Sequence, residues 1–148
     1  MRKALLPLLL IPSLAWAQDA PAPEPPAPES PGPESPAPAI EAVISDQLSD
    51  FTARDVPGAW EHASPMIQEL FGSPENFGRM VREGYPMVWD NGDVDFLELR
   101  EVDGALRQGV EMRDPLGQRW RLDYDMVELD GAWRINGVQV RPAPEFLY

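Results

Sequence analysis

Hydrophobic residues recur every three or four positions between residues 39 and 84, which is the period of helices that bury one side. The first apolar stripe predicts a helix over about residues 39–53. A proline that follows a capping residue then predicts three shorter helices, near residues 57–63, from Pro65 and from Pro74. Helices this short are not stable alone, so we expect them to pack on a sheet.

From residue 93 onward, turn dipeptides divide the chain into segments of strand length. The turn signals are Asn91-Gly92, Asp103-Gly104, Asp114-Pro115-Leu116-Gly117 and Asp130-Gly131. They delimit four strands at about residues 93–102, 105–113, 119–129 and 132–141. Helices followed by an antiparallel meander predict an α+β fold, with N-terminal short helices packed on a bent four-stranded antiparallel sheet.

The turn lengths also predict which side chains share a face of the sheet. Two-residue loops at 103–104 and 130–131, with an odd loop of three or five residues between them, give one apolar face for the helices to cover. That face is predicted to carry Leu97, Leu99, Leu106, Val110, Met112, Trp120, Leu122, Tyr124, Met126, Trp133 and Ile135. The mid-strand glycines Gly109 and Gly137 predict a bend or bulge.

The second face of the predicted sheet combines charged pairs with apolar residues. Arg107 is expected opposite Asp123 or Asp125. The apolar residues predicted there are Val94, Phe96, Val127, Leu129, Val138 and Val140. Such a mixed surface predicts association, and a homodimer through this outer face is one expectation.

Polar side chains on the covered face are the candidates for a binding pocket. Gln108, Tyr124 and Gln139 are predicted there, and Tyr85 and Trp120 complete the candidate pocket. These groups either anchor a ligand or satisfy helix ends and waters.

Acid–base and metal chemistry have few candidates in this sequence. His62 is the one histidine, and it is either a general base or a surface or helix-end residue. One histidine and no cysteine predict no metal site, and no cofactor is expected.

The N-terminus has the pattern of a signal peptide over residues 1–17. Arg2 and Lys3 precede an apolar stretch too short to span a bilayer, and the small residues Ala15 and Ala17 predict cleavage after Ala17. The protein is therefore predicted to be periplasmic or secreted. Because the chain has no cysteine, no lipid can be attached at the cleavage site, and no stable membrane anchor is expected after cleavage. An uncleaved anchor is the alternative.

Residues 18–38 form a segment of different composition, in which nine of 21 residues are proline. This composition predicts a disordered, Pro/Glu-rich arm, and the folded domain is expected over residues 39–148.

The net charge of the mature chain is strongly negative. Removal of Arg2 and Lys3 with the signal leaves 10 arginines against 25 acidic side chains, so the formal charge becomes −15 in place of −13. Such a charge repels phosphate, and nucleic acid is not expected as a partner.

Several segments together resemble a bacterial family known as domain of unknown function 4864. They are Ser64-Pro65-Met66-Ile67, Phe71-Gly72-Ser73-Pro74-Glu75-Asn76-Phe77, Met80-Val81, Gly84-Tyr85-Pro86 and Trp133-Arg134-Ile135-Asn136-Gly137-Val138. The resemblance covers about residues 40–141. It implies membership of the nuclear-transport-factor-like, cystatin-like group of α+β cones, which includes both enzymes and binding modules. It therefore implies a fold and supplies no catalytic residues.

The leading functional prediction is an exported, non-catalytic module that binds a small apolar ligand or a protein partner. The first alternative is a small-molecule isomerase or hydrolase that uses Tyr124, Gln108 and His62. The second is an interaction module that works through its acidic, Pro-rich arm.

Overall fold

The computed structural model describes residues 21–23 and 35–144. Within this part, the helices are α1 (Ala37–Thr52), α2 (Val56–Glu61), α3 (Pro65–Phe71), α4 (Pro74–Gly84) and α5 (Pro86–Trp89). The strands are β1 (Val94–Val102), β2 (Ala105–Arg113), β3 (Arg119–Leu129) and β4 (Ala132–Pro142). They form one antiparallel sheet in the order β1-β2-β3-β4, so the predicted α+β architecture is confirmed.

The predicted signal peptide, residues 1–17, lies outside the described residues. So does most of the predicted arm; of its described residues, 21–23 are exposed and belong to no helix or strand, whereas residues 37–38 are the start of α1. Helix α1 begins at Ala37, two residues before the predicted domain boundary.

The predicted capping residues start the short helices. The side-chain oxygens of Asp55, Ser64 and Ser73 each accept a hydrogen bond from the backbone N–H three residues later, at the starts of α2, α3 and α4. Gly72 ends α3 with a φ of 78°, a conformation that glycine adopts without steric cost. Pro86 starts α5, which the sequence pattern did not predict.

One face of the sheet is covered by the helices, and the core lies between them. Phe51 of α1 and Phe77 of α4 meet with ring centroids 5.9 Å apart. The fully buried sheet residues beneath them are Val110, Met112, Leu122 and Tyr124. Each large apolar side chain buried in this way contributes roughly 1.5–3 kcal/mol to folding.

Strand β1 contains a bulge that corrects the predicted register. Pairing follows the prediction from Val102 to Leu99, which faces Gln108, but two residues then oppose Gly109 alone. Phe96 therefore faces Val110, and the prediction that Leu97 would do so was wrong. A Cβ atom on Gly109 would lie 3.2 Å from the Cβ of Leu97, so a glycine at this position leaves room for Leu97.

Strand β4 contains a second bulge, at Asn136. Met126 faces Ile135 as predicted, but Asp125 then faces Gly137. The extra residue turns Val138 towards the covered face, opposite Tyr124. Both bulges lie where the mid-strand glycines predicted an irregularity.

These bulges correct the predicted composition of the outer face. Val94, Phe96, Val138 and Val140 were assigned to it, but all four pack against the core cluster. The reason is that one extra residue reverses which side of the sheet is faced by the residues beyond the bulge, counted from the hairpin turn that sets the register. Leu97 makes the opposite change, from the covered face on which it was predicted to the outer face.

Charged side chains occupy most of the outer face. The loop between β2 and β3 has five residues, 114–118, and it places Arg107 opposite Asp125, with 2.6 Å between Nε and Oδ1. Asp123 accepts hydrogen bonds from Arg100 at 3.0 Å and from Arg141 at 2.7 Å. Only 3% of the Asp123 side chain is exposed, so this carboxylate is covered by its two partners.

Candidate functional site

A cavity of about 240 Å³ lies between helices α1, α3 and α4 and strands β3 and β4. Among its lining residues, only Gln47, Tyr85 and Tyr124 carry a side-chain polar atom, and none carries a charge. The other lining residues are Phe51, Ala63, Ile67, Leu70, Phe71, Phe77, Met80, Val81, Val88, Ile135, Gly137 and Val138. This is a lining that favours apolar occupants.

Helix α3 borders the cavity without being buried itself. None of its seven residues is buried, yet Ile67, Leu70 and Phe71 line the cavity. Leu70 is 71% exposed and Met66, one turn earlier, is 54% exposed. An amphipathic helix usually gains its stability from a buried apolar stripe, so α3 depends on the hydrogen bonds at its ends.

Ser64 supplies the strongest of these attachments. Its Oγ donates to Oδ1 of Asn136 at 2.7 Å and accepts from the backbone N–H of Ile67 at 3.3 Å. Its backbone N–H donates to the carbonyl of Ile135 at 2.8 Å, and the N–H of Ile135 donates to the carbonyl of His62 at 2.8 Å. The segment before α3 is thereby fixed to the free edge of β4 at the bulge.

Tyr124 is the polar residue that the cavity and the core share. It projects from β3 on the covered face, is fully buried and lines the cavity. Its hydroxyl has no hydrogen-bond partner within the described part of the chain. Burial raises the pKa of this phenol far above its usual value, so it stays protonated and can donate.

Of the other predicted pocket residues, Tyr85 also lines the cavity, whereas Gln108 does not. Gln108 faces Tyr124 across the sheet, but its Nε2 donates to the carbonyls of Leu97 at 2.8 Å and of Gly109 at 2.9 Å. Its amide thus holds the β1 bulge.

Trp120 and Gln139 lie away from the cavity. The indole N–H of Trp120 donates to Oδ2 of Asp114 at 2.9 Å, which fixes the β2–β3 loop. This bond, with backbone N–H groups, lowers the pKa of Asp114. Gln139 is exposed opposite Asp123, so its predicted position on the covered face was wrong; the bulge at Asn136 had moved it to the outer face.

His62 is paired with an acid at the helix side of the domain. Its Nε2 lies 3.4 Å from Oδ2 of Asp50. Burial raises the pKa of Asp50, and His62 acts in the opposite direction. His62 is absent from the cavity lining; its backbone carbonyl, rather than its imidazole, supports the site.

The helical lining residues and the Ser64–Asn136 bond were not identified from the sequence as parts of a site. The apolar residues of α1 and α4 were predicted as core, and a core stripe and a cavity wall have the same periodicity. Asn136-Gly137 is a turn-type dipeptide inside a strand, which is the signal that could have pointed to the bulge.

Gln47 is the polar lining residue on α1. It is buried, and its Nε2 donates to the carbonyl of Ala59 at 3.1 Å.

The family model described as "Domain of unknown function (DUF4864)" matches residues 34–147. The chain belongs to this family. Among proteins with curated descriptions, none matches this DUF4864 chain.

Two solved structures are similar to this DUF4864 domain, and the first of them supports the fold described above. An NTF-2-like protein of unknown function from Silicibacter pomeroyi DSS-3 is 19% identical, with a TM-score of 0.50 over 72% of this chain and 95% of that one. An NTF2-like protein of unknown function from Shewanella baltica OS155 is 15% identical, with a TM-score of 0.49 over 74% and 94%. At these identities the likeness concerns the fold alone.

Two further observations concern the described residues of the DUF4864 chain. No group of three or more His, Asp or Glu side chains within residues 35–144 is placed to hold a metal ion. No helix in the described ranges is long and apolar enough to cross a membrane.

Proposed function

We propose that this DUF4864 domain is an exported, non-catalytic module that binds a small apolar molecule in the cavity beneath α3. The observation that carries the proposal is the cavity of about 240 Å³ itself, whose lining is apolar and uncharged. Pockets that are mostly apolar and contain few polar groups are the usual sites for small ligands.

The cavity volume suits a ligand of one or two rings. An engineered protein cavity of roughly 150 Å³ lined by aliphatic and aromatic side chains is sufficient to bind benzene. The present cavity is larger, which accommodates a fused pair of rings or a ring with a short chain. Contact with apolar walls contributes roughly 25 cal/mol for each Å² removed from water.

The composition of the lining supports binding rather than catalysis. Its titratable side chains are the two phenols, Tyr85 and Tyr124. General acid–base catalysis works best with a group whose pKa lies near the working pH, and a buried phenol is far from that range. The predicted base, His62, lies outside the lining.

Export is supported by the sequence of residues 1–17, with its two basic residues, apolar stretch and Ala15-Trp16-Ala17 site.

A protein partner remains a second proposal, supported by the exposed Met66 and Leu70 on α3. Homodimer formation through the outer face also stays a prediction. Fewer apolar residues than predicted lie on that face to form such a contact, and Val127 and Leu129 are among them.

Binding of the neutral two-ring fluorophore 1-aminonaphthalene tests the proposed function. Its emission should shift to shorter wavelength when it enters the cavity, and Val138→Trp should suppress this shift because Val138 lines the cavity wall. The matched control is Val127→Trp, which adds the same bulk to the outer face and should bind like the wild type. Equal binding by both variants, or none by the wild type, would reject the proposal.

A further inference from the structure

We infer that the ligand is a neutral apolar molecule with one hydrogen-bond acceptor, such as a ketone or ester carbonyl, and that the Tyr124 hydroxyl donates to it. This inference rests on the proposed function and adds the polar part of the specificity. The Tyr124 hydroxyl would make a ligand that carries an acceptor bind more tightly than a hydrocarbon of the same shape.

The position of Tyr124 supports this role. Its neighbours across the sheet are Gln108 on β2 and Val138 on β4. The hydroxyl is the atom of the side chain farthest from the backbone, and the residue is fully buried while it lines the cavity. Buried phenolic hydroxyls normally have a hydrogen-bond partner, and this one has none among the described residues.

The neighbouring polar groups are already engaged as donors. Gln108 uses its amide nitrogen on the carbonyls of Leu97 and Gly109, and Gln47 uses its amide nitrogen on the carbonyl of Ala59. The donors left in the lining are therefore the two phenols, and Tyr124 is the one that is fully buried.

The uncharged lining determines the charge of the ligand. No Asp, Glu, Arg, Lys or His side chain lines the cavity. An ion that entered would lose its hydration without gaining a counter-ion, which is costly in an apolar environment. A neutral carbonyl compound loses much less, and the hydrogen bond from Tyr124 compensates for that loss.

Acetophenone and α-methylstyrene form a suitable probe pair, because a C=O group in one replaces a C=CH₂ group of the same shape in the other. Their Kd values would be measured by displacement of 1-aminonaphthalene from the wild type and from Tyr124→Phe. The preference for acetophenone should fall about 3- to 10-fold in Tyr124→Phe, the worth of one neutral hydrogen bond. Desolvation of each probe cancels, since both proteins take it from the same water.

Tyr85→Phe is the comparison variant, because Tyr85 is the other phenol of the lining and is only partly buried. It should lower the acetophenone preference less than Tyr124→Phe does, and a larger effect of Tyr85→Phe would assign the donor to Tyr85 and overturn the inference. Benzoate, an anion of similar size, should bind at least about 10-fold more weakly than acetophenone.

The outcomes separate this inference from the proposed function. If the fluorophore does not bind the wild type, the proposed function fails. If it binds but the acetophenone preference survives in Tyr124→Phe, or benzoate binds more tightly than acetophenone, the inference is overturned and the binding function stands.

A second measurement covers the case in which Tyr124→Phe does not fold. The carbonyl stretch of ¹³C-labelled acetophenone should move to lower frequency on binding the wild type, relative to its value in an apolar solvent. A bound carbonyl with the apolar-solvent frequency would overturn the inference.

Discussion

Replacing Ser64 with alanine should loosen the attachment of α3 to the sheet and destabilise the domain more than loss of an ordinary helix cap does. The hydroxyl of Ser64 caps α3 at Ile67 and also donates to Asn136 on the β4 bulge. Only 1% of Ser64 is exposed, so water cannot replace these bonds without rearrangement.

The expected magnitude follows from the two bonds. Loss of the cap costs about 1 kcal/mol. Loss of the donor to the Asn136 oxygen adds roughly 0.5–1.5 kcal/mol, since that acceptor lies in a partly buried position. We therefore expect Ser64→Ala to lower the free energy of unfolding by about 1.5–2.5 kcal/mol in urea denaturation, with an unchanged m-value.

Ser73→Ala is the matched control, because Ser73 caps α4 through the N–H of Asn76 but has an exposed hydrogen bond. It should cost only about 0.5–1 kcal/mol. In the double variant Ser64→Ala/Asn136→Ala, the two losses should not add, with a coupling of roughly 0.5–1.5 kcal/mol. Equal losses for Ser64→Ala and Ser73→Ala, or full additivity with Asn136→Ala, would refute this reasoning.

Three further variants probe the buried phenol, the β2–β3 loop and the outer face. Tyr124→Phe removes an unpaired buried hydroxyl, so the free energy of unfolding should stay equal or rise by up to about 1 kcal/mol; a loss above about 1 kcal/mol would contradict this. Asp114→Ala should be less stable than the wild type above about pH 4, and the difference should shrink at lower pH. The reason is that a carboxyl with a lowered folded-state pKa stabilises the fold only while ionised; a pH-independent difference in urea melts would oppose it. Asp123→Ala should cost about 1–2 kcal/mol, because it removes the shared acceptor of two arginines that are 41% and 51% exposed and can be solvated without it, whereas Asp125→Ala, which breaks one arginine pair, should cost less than about 1 kcal/mol; equal losses in the same assay would show that the number of arginine partners does not decide the effect.

The helices other than α5, the strands and the turns were predictable because each depends on local chemistry. A serine or aspartate before a helix and a glycine at a left-handed position act within a few residues, whatever the rest of the chain does. An odd loop of three or five residues between β2 and β3 could be anticipated too, since only an odd loop keeps the apolar alternation of the two strands in phase; the loop has five residues, 114–118.

The positions of the two bulges were harder to predict, although the apolar pattern of the sequence is interrupted at each of them. Apolar residues in β1 change from even positions, such as Phe96, to odd positions, such as Leu99, and β4 changes from Ile135 to Val138 across a glycine. These phase changes were interpreted as a mixed outer face, when each in fact marks an inserted residue. Their exact positions depend on distant partners, for example the bond from Ser64 to a residue 72 positions later.

The cavity could be predicted only in part. Tyr85 and Tyr124 were identified from their position near the covered face, and both line it. Gln108 shares that face, but its amide nitrogen is taken by the backbone carbonyls at the β1 bulge, which periodicity cannot reveal. The cavity volume depends on how far α3 stands from the sheet, and no local pattern determines that distance.

If a small apolar molecule binds between α3 and the sheet, intermolecular NOEs should locate it there. With methyl-labelled protein and bound acetophenone, we expect NOEs from the ligand protons to methyl groups of Ile67, Ile135 and Val138, which line the cavity. NOEs confined to Val127 and Leu129 on the outer face, or none at saturating ligand, would contradict it.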